Sequence, residues 1–299
     1  PLGENIITVT AKNQAGGVAQ KIIKLSRFEP TLTDEVTAPT TAIGERWAVV
    51  VGLSEYKDKG IPSLSNSAED ARSFSQFLKS PNGGSFSENN ILLLVNQQAT
   101  STALRRALFT YLKKAIEEDL VIFFFSGHGA SEPGTADNYY LLTYDADPDD
   151  LPATAIPTWD VDMAFKRNIK AKRSIILVDA YRTAAIGNNK GTRALALDNM
   201  SNRYLKKLSE TGEGRVIFTA SQDGQIAVDS RFTKRKTGLF THYLLEALSG
   251  VADENSDGIV SLGETIDYTT DLVEAASRGK QRPDIVGKFD RNLPFAVLE

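Results

Sequence analysis

The sequence predicts an α/β fold in which a mostly parallel central sheet carries helices on both faces, with an N-terminal β-hairpin in front of it. Two patterns lead there. Continuous apolar runs at 47–53 (WAVVVGL), 91–95, 120–125, 174–178 and 216–220 have the length and composition of strands buried on both faces. Between them apolar residues recur at helical spacing: Ala68, Ala71, Phe74 and Leu78 in 67–78, and Leu104, Ala107, Leu108, Leu112 and Ile116 in 102–116. A further helix is expected over 239–248. Strands that alternate with helices are joined by crossovers, which give parallel pairing and a sheet covered on both faces.

In chain order, 5–10 is a β-branched run, 13–17 supplies Asn and Gly for a turn, and 18–25 is a second run. Residues 1–27 therefore read as a hairpin, which alone is marginally stable. It either docks on the main domain or forms the C-terminal strands of an immunoglobulin-like module, whose last two strands it resembles. Pro30, Pro39 and several threonines without periodicity make 28–45 a linker. The main domain is expected over 46–299, including a helix pair at 238–276.

In sheets of this kind the site lies outside the carboxyl ends of the strands. Two polar segments fall there. Ser126-Gly127-His128-Gly129, read as a turn, follows the run 120–125, and Asp179-Ala180-Tyr181-Arg182 follows 174–178. Glycines on both sides of His128 permit close backbone approach to a ligand, which sets it apart from an ordinary packed histidine. The second histidine, His242, lies mid-helix and reads as packing.

Composition narrows the chemistry. A net charge of −4 offers no basic surface to nucleic acid, and no apolar run has the ~18 residues a membrane span needs. The chain has no cysteine, which excludes disulfides, thiolate metal sites and a thiol nucleophile.

The ordered blocks VGLSEY (51–56), LSNSAEDA (64–71), ATSTALRRAL (99–108), FFFSGHG (123–129), ILVDAYR (176–182), FTASQDGQ (218–225) and GLFTHYLLEALSG (238–250) resemble the caspase/metacaspase clan, the bacterial caspase-like proteins and orthocaspases most of all. The resemblance spans roughly residues 46 to 298. Tyr181 follows His128 by 53 residues, against about 50 between the histidine and the cysteine of that family. It implies the caspase–hemoglobinase sandwich, with His128 as general base and the Gly129 amide in the oxyanion set. Tyr181 falls at the nucleophile position. A phenol titrates near 10 and is a far weaker nucleophile than a thiolate, and Arg182-Thr183-Ala184 also depart from the family pattern. Two readings result: a peptidase homologue without its nucleophile, or an Arg/Lys-specific cysteine endopeptidase of metacaspase or orthocaspase type with its cysteine replaced. Hydrolysis by Tyr181 or a nearby hydroxyl with His128 is a third, weaker one.

In metacaspases two acidic residues line the primary specificity pocket and select arginine or lysine. Asp70 and Asp179 match them, and Ser126 is expected in the same pocket; the implied partner is a protein or peptide presenting a basic residue. Asp70 equally reads as a cap or a solvent-facing residue of its helix. Ser126 is set aside as a replacement nucleophile, on the expectation that it points away from His128. The basic stretches 182–215 and 231–236 read as loops, the first matching the linker that the family often self-cleaves.

A second motif stands apart. Asp253, Asn255, Asp257, Gly258 and Glu264 fit the twelve-residue calcium-loop pattern between two expected helices, 238–248 and 262–275. Side-chain oxygens of Asp253, Asn255, Asp257 and Glu264, the Ile259 carbonyl and Ser261 through water would hold a structural Ca2+, with Val260 packing the loop.

Overall fold

The computed structural model describes residues 3–12, 18–27, 43–132, 135–181, 214–221 and 236–298. The chain divides into two compact units, Pro1–Thr41 and Ala42–Glu299. In the first, β1 (Gly3–Lys12) and β2 (Val18–Arg27) pair antiparallel from Gly3↔Arg27 to Lys12↔Val18, the expected hairpin.

The second unit is built on a mixed sheet. Its strands are β3 (Arg46–Gly52), β4 (Ile91–Val95), β5 (Leu120–Glu132), β6 (Thr135–Leu141), β7 (Ile156–Pro157), β8 (Arg173–Tyr181), β9 (Arg215–Thr219) and β11 (Asp284–Lys288). The order is β11-β9-β8-β5-β3-β4; all neighbours are parallel except β11, and β6 and β7 extend antiparallel from the end of β5. A separate pair, β10 (Ile259–Ser261) with β12 (Pro294–Val297), lies off this sheet. The helices are α1 (Ser67–Lys79), α2 (Ser101–Arg106, its helical path continuing to Lys114), α3 (Leu151–Thr154), α4 (Thr158–Met163), α5 (Leu239–Glu246) and α6 (Leu262–Ser277). Among the described residues no helix is long and apolar enough to cross a membrane.

The unbroken apolar runs are explained by two cores, one on each face. Val49, Val51, Phe123, Phe125, Ile176 and Val178 pack with Leu104, Leu108 and Phe165. The alternate residues Ala48, Val50, Ile122, Phe124, Ile175 and Leu177 pack with Phe74, Phe240, Leu244 and Ile266. Phe124 stacks on Phe74 of α1 with ring centroids 4.8 Å apart. Burying such a ring contributes about 1.5–3 kcal/mol. Gly52 ends β3 where α1 begins; a Cβ there would meet the Ser67 carbonyl at 2.3 Å, so only glycine lets α1 sit this close.

Three local expectations change. The segment 126–129 is not a turn: β5 runs through it to Glu132, because β6 folds back to pair with Gly129–Glu132. β8 likewise continues through Asp179 to Tyr181 instead of stopping at Val178. Ile116, placed by spacing on a buried helix face, lies past the helix end and is exposed.

Candidate functional site

The site is set by the register of the two central strands. β5 and β8 pair as Ser126↔Asp179, Gly127↔Ala180 and His128↔Tyr181 at their carboxyl ends. Strand alternation puts Ser126 and Asp179 on the face covered by α1, the face of Phe124 and Leu177. Asp70 comes to the same face from the first turn of α1, whose Ala68, Ala71, Phe74 and Leu78 are buried. Thus the structure brings Asp70, Ser126 and Asp179 together. All three are fully buried, so Asp70 is neither a solvent-facing residue nor the cap of its own helix.

Both oxygens of Asp70 are engaged. The Ser126 hydroxyl donates to Oδ2 (3.0 Å) and the Gly238 amide to Oδ1 (2.6 Å). Burial pushes its carboxyl up from 3.8 to about 7, against the opposing pull of the Gly238 amide and the Ser126 hydroxyl. One turn earlier, the Asn66 side-chain amide donates to the Lys236 carbonyl (2.7 Å), so α1 grips the approach to α5 at two points.

Ser126 and His128 are two apart on one strand and share a face, contrary to the expectation that they point apart. What occupies Ser126 is its hydrogen bond to Asp70.

His128 is buried and held on several sides. Its Nε2 lies 2.8 Å from the Pro62 carbonyl. A carbonyl only accepts, so Nε2 carries a proton and donates it to Pro62. The His128 amide donates to the Tyr56 hydroxyl (2.8 Å), and the two rings lie 5.3 Å apart. Burial drives the Tyr56 phenol well above its ordinary range, so it stays protonated.

Gly129 is required by contact. A Cβ there would fall 1.9 Å from the Tyr139 hydroxyl. The Leu142 amide donates to the His128 carbonyl, and the Leu53 amide to the Ser126 carbonyl (both 2.9 Å). With those carbonyls turned to one edge of β5, the alternate residue Gly129 directs its N–H to the opposite edge, where β8 runs. That is the side on which Tyr181 pairs with His128.

Tyr56, Pro62 and Tyr139 escaped the sequence reading. Tyr56 closes the VGLSEY block and could have been noticed there; a main-chain carbonyl such as that of Pro62 leaves no sequence signal. The Tyr181 side chain, the stretch 182–213 and Arg231, Phe232, Thr233, Lys234 and Arg235 lie outside the described residues. A cavity of about 340 Å³, lined by Arg173, Ile175, Val216, Leu262, Phe289 and Leu293, sits at the amino ends of β8 and β9, and no candidate residue lines it.

The acidic loop after α5 closes on itself. Asp253 accepts from the amides of Asp257 and Gly258, Asn255 from Asp257, and Asp257 from Ile259. Ser261 caps α6 and exchanges hydrogen bonds with Glu264 in a capping box. Burial works against the Glu264 charge, but the Ser261 hydroxyl and the amides of Ser261, Glu254 and Asn255 outweigh it and hold the carboxyl below its ordinary value. Val260 is fully buried, as the loop pattern expects. The oxygens of Asp253, Asn255, Asp257 and Glu264 are the hard donors calcium takes, so the donor chemistry fits. Among the described residues no group of three or more acidic or histidine side chains is gathered around one point.

Comparison with known proteins gives the family. The caspase-domain family model matches residues 45–294. A structural-genomics target protein from Geobacter sulfurreducens is 15% identical with a TM-score of 0.57, the match covering 86% of this chain and 100% of that one. Caspase-1 from Spodoptera frugiperda is 12% identical with a TM-score of 0.55, covering 85% and 91%. The structure of its pro form is 15% identical with a TM-score of 0.53, covering 84% and 90%. At these identities the structures speak for the fold alone. A search of curated proteins finds no significant sequence match. With the fold, the strand register and the match over residues 45–294 in agreement, the chain belongs to the caspase-domain family.

Proposed function

We propose that this protein is a caspase-domain homologue without peptidase chemistry, which binds a basic side chain of a protein or peptide at the carboxyl ends of β5 and β8. One observation carries the reading: in a chain without cysteine, the residue in register with His128 is a tyrosine. His128 keeps the place of the general base, but a phenol supplies no thiolate for it to create. Two carboxyls buried at one strand end, Asp70 and Asp179, support a cationic ligand, since a basic side chain is the partner that would favour their ionised form there.

The test has two arms. Fluorogenic arginine and lysine peptides should give no turnover above buffer, while a labelled peptide ending in arginine amide binds saturably and its norleucine counterpart does not. Turnover that disappears in His128→Ala would overturn the silent reading. The alternative, an Arg/Lys-specific endopeptidase with a replaced cysteine, predicts that Tyr181→Cys alone restores cleavage.

We also propose that the loop 253–264 takes a structural Ca2+. Support comes from the twelve-residue pattern and from Glu264, drawn to the amides of Glu254 and Asn255 at the start of the same loop. Calorimetric titration of the protein and of Glu264→Gln tests it; equal heats discard the ion.

A further inference from the structure

We infer that the cavity at the amino ends of β8 and β9 is a small-molecule site, and that it takes a compact aromatic carboxylate, ring inward and carboxylate toward Arg173. It lies at the opposite end of β8 from Asp179 and Tyr181. Protein interiors hold few voids larger than a water molecule, and this one measures about 340 Å³. Ligand cavities begin at roughly 300 Å³. An apolar cavity of about 150 Å³ already admits benzene, so there is room here for a fused two-ring body.

The walls call for an apolar guest. Strand alternation places Arg173 and Ile175 of β8 on the face that α6 covers, and Val216 of β9 is in register with Ile175. Leu262, at the start of α6, closes the other side, and the half-buried Phe289 and Leu293 border the opening. The main chain around them is satisfied internally. The Ser174 amide donates to the Gly214 carbonyl (3.0 Å), the Gly214 amide to that of Lys288 (2.7 Å) and the Leu262 amide to that of Leu293 (2.8 Å). These amides need no water, which favours an apolar body between the walls.

Charge sets the class of ligand. Arg173 and Lys288 line the cavity against a single acid, Asp290, whose Oδ1 already accepts from the Asn292 amide (2.9 Å). One positive charge is therefore in excess, which draws a monoanion. The Arg173 guanidinium donates through Nη1 to the Glu118 carbonyl (3.3 Å), one of its five N–H groups. A planar fork held in this way matches a carboxylate.

The full chain, methyl-labelled, is titrated with naphthoate, naphthylmethanol and naphthylmethylammonium and followed by NMR. Naphthoate should shift the Ile175, Val216, Leu262 and Leu293 methyl resonances saturably, with a Kd on the order of 0.1–1 mM. The alcohol should bind about 5- to 10-fold more weakly, and the ammonium more weakly still. Arg173→Gln should bring naphthoate down to the affinity of the alcohol. Leu293→Trp, which fills the cavity, should remove binding of both. Shifts that do not saturate, or that miss these methyls, overturn the site; acid and alcohol of equal affinity overturn the ligand class. If Leu293→Trp does not fold, the wild-type methyl map decides the site, and the acid–alcohol comparison decides the class.

Discussion

Two acidic regions of this domain use the same residue types in opposite ways. At the carboxyl ends of β5 and β8, Asp70 is fully buried with two hydrogen-bond donors, and burial wins: its carboxyl rises to about 7. In the loop after α5, Glu264 is only partly buried and loses far less water, and a hydroxyl and three amides outweigh that loss: its carboxyl falls. The number and type of donors around a carboxylate, weighed against lost water, decide its charge. Asp70 can act as a neutral acceptor near neutral pH, whereas Glu264 remains an anion.

The largest expected effect breaks the buried side of this contrast. Asp70→Ala leaves the Gly238 amide and the Ser126 hydroxyl without their acceptor, and should lower stability by about 2–4 kcal/mol in denaturant unfolding. Asp70→Asn keeps an acceptor for Gly238 and should lose much less. Equal losses in the two variants would remove the hydrogen-bond explanation.

The pH dependence sharpens the contrast next. Because the folded carboxyl of Asp70 lies above its ordinary 3.8, its favourable contribution is complete below pH 4 and is lost as pH rises through 7. The thermal midpoint of the wild type, minus that of Asp70→Asn, should therefore grow as pH falls from 8 to 5. Up to about 2–4 kcal/mol is at stake in that window. A difference that stays flat with pH would show that Asp70 does not titrate there.

The same weighing explains what was legible in the sequence. Buried strands declare themselves because both faces need apolar residues, so Val49, Val50, Phe123 and Phe124 fixed the sheet. Glycines beside His128 and the acid after Val178 pointed to a candidate site at the strand ends. Ser126 to Gly129 was misread as a turn because glycines mark both turns and strands crowded by a neighbour, and the crowding ring, Tyr139, belongs to another strand. The Pro62 carbonyl that accepts from His128 Nε2 is a main-chain group, and its partner lies 66 residues away. The commitment of Asp70 to Gly238, across 168 residues, is likewise a tertiary fact with no local pattern.

The smallest expected effects concern the exposed loop, where the sign of the pH dependence reverses. Glu264 is held below its ordinary value, so its contribution is present above that value and lost as pH falls through the folded one. The midpoint of the wild type minus that of Glu264→Gln should shrink on acidification, opposite to the Asp70 pair. Ser261→Ala removes the acceptor for the Glu264 amide and half of the capping box, a loss of about 1 kcal/mol, or roughly 2–4 °C in a domain of this size. Measured without calcium, this loss reports the cap alone. If adding calcium enlarges the gap between wild type and Ser261→Ala, the cap and the ion share the loop; if the gap is unchanged, the loop holds α6 by its hydrogen bonds only.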